Sequence, residues 1–156
     1  MLPFNQILCP TDFSKPSLLA LKDAGELALH FAAQLLVVHV IPPLPPQYPS
    51  VPPPFISSFD VTQYLEELAK SSEDALKEVV AQAVSPQVRA QTAVIIGDPA
   101  REIVRLAKDK PVDLVVIATQ GQTGWRHLLF GSVAEKVVRL APCPVLTIRA
   151  PGAGPG

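Results

Sequence analysis

Five short apolar runs, each continuous and each followed or preceded by a helical pattern, constrain this chain more than any other feature. They are Ile7-Leu8 leading into Cys9-Pro10, then residues 35–40 (LLVVHV), 93–96 (AVII), 114–118 (LVVIA) and 145–148 (VLTI). A strand with one wet face alternates apolar and polar residues, whereas a strand covered on both faces reads as an unbroken β-branched run. Between the runs, apolar residues step at helical spacing. The stripes are Leu21, Ala24, Ala28 and Phe31; Tyr64, Leu68, Ala75, Leu76, Val79 and Ala83; Ile103, Leu106 and Ala107; and Val133, Val137 and Leu140. The order β-α-β-α-β-α-β-α-β predicts an α/β fold: an open five-stranded parallel sheet with right-handed crossovers and helices on both faces. With 156 residues, the chain suits one domain over residues 1–150.

Helix starts are marked by residue type. Ser14 before Lys15-Pro16, Asp60, and Asp98 before Pro99 are N-cap candidates. Ser132 with Glu135 has the S-x-x-E spacing of a capping box. Residues 42–54 (PPLPPQYPSVPPP) break the rhythm, because eight of thirteen are proline, which excludes helix and strand. That segment reads as a stiff connector, or as a lid, since it leaves the carboxyl edge of the sheet. The tail, residues 151–156 (PGAGPG), reads as disordered.

Bulk composition excludes several roles. A net charge of −1 without a basic block argues against nucleic acid as a partner. No apolar run approaches the roughly 20 residues that cross a bilayer, so no membrane partner is expected. The opening MLPFNQILCPTD lacks a basic region, apolar stretch and cleavage site, which leads to the expectation of a cytoplasmic protein. Cys9 and Cys143 are the two cysteines, placed by the strand reading at opposite ends of the sheet. A bridge needs Cα atoms within about 7 Å, so both are expected free.

Ligands of open α/β sheets bind beyond the carboxyl ends of the strands, where the strand order reverses. Two loops should meet there, residues 10–14 (PTDFS) and 119–130. The second, in ATQGQTGWRHLLFGSVAEKVV, scatters glycines before a helix. Glycine lets backbone N–H groups approach a ligand closely, and the helix start adds roughly half a positive charge, so phosphate is the natural guest. There is no G-x-x-x-x-G-K-[ST], G-x-G-x-x-G, H-E-x-x-H or C-x-x-C pattern. No nucleophile stands beside an obvious base, and Asp12 is the only acid in the two loops. One carboxylate seldom suffices for fast phosphoryl transfer, so the expectation is a binding module and not an enzyme.

Here the chain resembles the universal stress protein family. Nucleotide-binding members carry glycine, two residues, glycine, nine residues, then glycine with serine or threonine. Gly121 and Gly131-Ser132 match the second half, while Ala118 stands at the first glycine. ILCPTDFS, LLVVHV, GDPAREI and GSVAEKVVRLAPCPVLTIR extend the likeness over nearly the whole chain. The resemblance implies strand order 3-2-1-4-5 and ATP between the first and fourth strands, with Mg2+ and with ADP or AMP as competitors. By position, Asp12 would contact ribose or adenine, and Pro10, Thr11 and Val40 would wall the base. Gly121, Gly131, Ser132 and Val133 would offer N–H or hydroxyl groups to the phosphates, over Ile117 and Ala118. It also implies a homodimer paired through the edge strand 144–149. No metal ligands are expected from the protein itself.

Plainer roles exist for each residue. Asp12 could organise the turn into the first helix, Ser132 could be a cap, and Gly121 and Gly124 could be turn glycines. Trp125, Arg126 and His127 read as surface residues of a loop, and His30 and His39 as structural. If the family's first glycine needs positive φ, Ala118 costs about 1 kcal/mol or more; if it needs only to be small, the methyl is tolerated. Gln120 and Gln122 stand where the family often has histidine and a basic residue, which weakens the hold on outer phosphates. The alternatives are a nucleotide-independent dimeric scaffold and a slow ATPase.

Overall fold

All five apolar runs are strands; those at residues 7–10, 35–40 and 114–118 are almost wholly buried, whereas 93–96 and 145–148, at the two edges of the sheet, are only partly so. The computed structural model describes residues 2–44, 61–120 and 130–150. Within them run β1 (Gln6–Pro10), α1 (Lys15–Phe31), β2 (Gln34–Ile41), α2 (Val61–Ala83), β3 (Arg89–Ile96), α3 (Pro99–Asp109), β4 (Leu114–Ala118), α4 (Ser132–Leu140) and β5 (Val145–Ile148). The strands form one parallel sheet in the order β3-β2-β1-β4-β5. This is the expected α/β architecture and strand order.

Successive side chains of a strand point to opposite faces, so each central strand serves two cores. Leu8, Val38, Val115 and Ile117 pack with Ile103 of α3 and Val137 of α4. Their neighbours Ile7, Cys9, Val37 and Val116 pack with Leu21 and Ala24 of α1 and Leu76 of α2. Asp113 ties the amino ends of β1 and β4 together, its Oδ2 accepting from the N–H of Asn5 at 2.7 Å and of Gln6 at 2.9 Å. Because all pairings are parallel, the carboxyl ends of β1, β2 and β4 lie on one edge.

Three details depart from the sequence reading. Strand β3 begins at Arg89, well before the apolar run at Ala93, because it is an edge strand whose first residues are exposed. Leu140, placed in the fourth apolar stripe, is 52% exposed; α4 buries only Ala134 and Val137. The capping box at Ser132 is not formed. Gly131 is the N-cap of α4, Ser132 is its first helical residue, and no side chain caps this end. The Glu135 carboxylate instead lies 3.9 Å from Arg139 on the exposed face. Asp98 and Ser14 do cap their helices, accepting from Arg101 N–H at 2.9 Å and from Ser17 N–H at 3.4 Å.

Both cysteines are free, as expected. Among the described residues no helix is long and apolar enough to cross a membrane. Asp60, most of the proline-rich segment and the tail fall outside the described residues.

Candidate functional site

Crossovers from β1 lead one way to β2 and β3, and from β4 the other way to β5, so the strand order reverses between β1 and β4. A cleft of about 320 Å³ opens at that point, above the carboxyl ends of β1, β2 and β4. Its lining includes Pro10, Thr11, Asp12, Val40, Ile117, Ala118, Gly131, Ser132 and Val133. These are the residues singled out from the sequence, apart from Gly121, which lies outside the described residues together with Gly124, Trp125, Arg126 and His127. Ser17, His39, Pro42, Pro99, Ile103, Thr119, Gln120 and Ala134 also reach the cleft.

The β1–α1 turn is held by its own hydroxyls. Asp12 Oδ1 accepts from the N–H of Ser14 at 3.0 Å and from its Oγ at 2.5 Å, so the carboxylate does organise this turn while lining the cleft. Ser17 Oγ donates to Ser14 O at 2.9 Å. Its contact with Thr11 Oγ1, also 2.9 Å, must therefore take the threonine proton. Thr11 Oγ1 in turn accepts from Phe13 N–H at 3.1 Å. The Thr11 hydroxyl is consumed within the protein, and the residue acts as a wall.

His39 is more than a strand residue. Its Nδ1 lies 2.8 Å from Thr11 O, a carbonyl that can only accept, so Nδ1 carries the proton. Its ring packs against Phe13, centroids 4.5 Å apart. Phe13 itself sits at φ 63, a conformation that bulky residues avoid, held by that ring contact and by Thr11. The structural role expected of His39 is thus found; its place in the cleft lining was not foreseen, because a histidine inside LLVVHV looks like any interior strand position.

Electrostatically the cleft has one built donor face. The first N–H groups of any helix lack intrahelical partners. At α1 and α3 a side chain answers one of them, but at α4 none does, and Ser132, Val133 and Ala134 line the cleft. The Gly131 N–H, expected to face phosphate, donates to Thr119 O at 2.6 Å. The available donors therefore begin one residue later than the sequence suggested. Ala118 lies in β4, and positive φ among the described non-glycine residues is confined to Phe13 and Ala32. Alanine there carries no backbone strain.

Neither cysteine lines the cleft. Burial, with the Asp23 charge adding to it, pushes the Cys9 thiol up to about 12. Partial burial raises that of Cys143 as well, helped by Asp113. Among the described residues no group of three or more His, Cys, Asp or Glu could hold a metal ion.

Sheet order, cleft and helix start together define an open, doubly wound α/β protein with a cleft at the reversal of strand order. The chain belongs to the universal stress protein family, whose model matches residues 3–149. It is 37% identical over 148 residues to universal stress protein MJ0531 of Methanocaldococcus jannaschii, covering 95% of this chain and 84% of that protein. It is 32% identical over 147 residues to universal stress protein YxiE of Bacillus subtilis, covering 94% and 99%. Among solved structures, universal stress protein UspA from Lactobacillus plantarum superimposes with TM-score 0.77 at 27% identity, over 96% of this chain and 100% of that one. Two more distant structures of the same fold are a universal stress protein in complex with cAMP (TM-score 0.60, 21% identity, 94% and 97% covered) and one from Archaeoglobus fulgidus in complex with dAMP (TM-score 0.61, 20%, 95% and 99%).

Proposed function

We propose that this universal stress protein is a cytoplasmic regulatory module that binds an adenine nucleotide in the cleft between β1 and β4. The observation that carries the reading is the uncapped start of α4 facing that cleft. An anion placed there meets unpartnered N–H groups and the positive end of the helix. Pro10, Val40, Ile117 and Ala118 supply the apolar walls a base and sugar need, with Asp12 at their rim for ribose or adenine hydroxyl and amine groups. Ser132 and Val133 take the phosphates, joined by Gly121. ATP is the expected ligand, with ADP and AMP competing; Mg2+ comes with the phosphates, its other ligands being water. That two proteins of the same fold hold adenine nucleotides is consistent with this assignment.

Hydrolysis is not proposed. Asp12 is the one acid among the described lining residues, and its Oδ1 is engaged by Ser14. Product formation that scales with protein and disappears in Asp12→Ala would speak for a slow ATPase instead. Calorimetric titration with ATP and Mg2+ tests the main reading: saturable heat is expected, and no heat with no thermal shift at millimolar nucleotide contradicts it.

A second observation favours an assembly role alongside binding. Strand β5 ends the sheet, and Val138, Leu140 and Leu146 leave apolar surface on and beside it. An unpaired edge flanked by apolar side chains invites a second copy, so residues 144–149 are proposed as a homodimer edge. Light scattering at tens of micromolar should give twice the chain mass. A nucleotide-independent scaffold would keep that dimer and its partners when Gly131 carries a bulky side chain; the nucleotide-binding module would lose its nucleotide response.

A further inference from the structure

Four polar residues are buried in the described chain: Thr11, Ser17, Ser72 and Thr119. Thr11 and Ser17 satisfy each other at the cleft. Thr119, only 6% exposed, differs: its Oγ1 is buried and has no hydrogen-bond partner among the described residues. Buried hydroxyls without partners are rare, because the group gives up water and receives nothing in return.

The surroundings of Thr119 narrow what the missing partner is. Its main chain is fully used, the N–H donating to Ile148 O at 2.9 Å and the carbonyl accepting from Gly131 N–H at 2.6 Å. Those two bonds fix the residue between the end of β4 and the start of α4, and Thr119 is one of the residues that line the cleft. The Thr119 main chain is thus one hydrogen bond away from the residue that opens the uncapped helix. Thr119, Ser132 and Val133 line the same cleft, and the Thr119 hydroxyl is without an acceptor among the described residues.

We propose that Thr119 is a ligand-contacting residue of the cleft, its Oγ1–H donating to the phosphoryl group that α4 holds. This rests on the nucleotide-binding reading above and names a side chain that, beside the α4 N–H groups, favours a phosphorylated nucleoside over a bare one. Thr119→Val keeps shape and removes the hydroxyl; Thr119→Ser keeps the hydroxyl and removes the methyl.

The experiment is calorimetric titration of the native chain, Thr119→Val and Thr119→Ser with AMP and with adenosine, alongside thermal melts. A hydrogen bond to a charged oxygen corresponds to roughly tenfold in affinity or somewhat more. Thr119→Val should lose about that factor for AMP and little for adenosine, while Thr119→Ser stays within about threefold of the native chain. Because the valine no longer buries an orphan hydroxyl, its ligand-free melting temperature should equal or exceed the native value. Equal AMP affinity in native chain and Thr119→Val overturns the proposal, as does an equal loss for both ligands. A lowered melting temperature with unchanged ligand preference assigns Thr119 a purely structural or water-bridged role and also overturns it. If Thr119→Val does not fold, Thr119→Ser against Thr119→Ala carries the same comparison. Failure of the native chain to bind either ligand is seen before any substitution, and sinks the nucleotide reading itself along with this one.

Discussion

Helix α3 starts from Asp98 at φ −70, ψ 120, and helix α4 from Gly131 at φ −70, ψ 158. Both starts border the same cleft, through Pro99 and Ile103 on one side and Ser132, Val133 and Ala134 on the other. Backbone conformation does not separate them, since either angle pair is open to any residue. Side chains do. At α3 a carboxylate of the chain itself sits on the first N–H groups, accepting from Arg101 at 2.9 Å. At α4 the corresponding place holds no side chain. Gly131 is therefore not there to permit an unusual φ. On the proposed reading, what it provides is room for an anion from outside, where α3 already has one of its own.

The sharpest way to break this comparison is to make α4 resemble α3. Gly131→Asp should lower nucleotide affinity about a hundredfold or more, because a fixed carboxylate meets the phosphate in a confined site. The same change should raise ligand-free stability by a few tenths of a kcal/mol, as a side-chain cap replaces none. Calorimetry and thermal melting read the two opposite signs. The reverse probe is Asp98→Ala, expected to cost about 1 kcal/mol and roughly 2–4 °C of melting temperature while leaving affinity within about twofold. If affinity falls there as well, the two helix starts are not separate in function.

Smaller effects refine the picture. Ala118→Gly should lower stability by about 0.5–1 kcal/mol, since glycine loosens a strand, and change affinity less than about threefold. Ser132→Ala should leave ligand-free stability within about 0.5 kcal/mol, because this exposed serine is not the cap. A loss near 1 kcal/mol in chemical denaturation would restore the capping box that its spacing suggests.

The central strands were legible because burial on both faces leaves no room for polar residues, as in LLVVHV of β2. Edge strand β3 was half hidden, since Arg89 and Gln91 are exposed polar residues that fall outside the apolar run at 93–96. Caps were legible where the residue type decides, at Ser14 and Asp98, and misread at Ser132. S-x-x-E fits a frame shifted by one residue equally well, and only the extended backbone of Gly131 selects between them. Topology pointed to the loops after β1 and β4, while Val40, Ile117 and Ala118 came from the family resemblance. Thr119 was not singled out, because a threonine after a strand is ordinary until its burial and missing partner are seen.

The most direct test follows backbone amide resonances of the native chain during titration with AMP and, separately, adenosine. With AMP, the N–H signals of Ser132, Val133 and Ala134 should move furthest, downfield, while those of Ala100 to Glu102 move less and adenosine leaves the α4 signals nearly in place. Saturable AMP binding that leaves the α4 amides still, or an equal response to adenosine, would contradict the account.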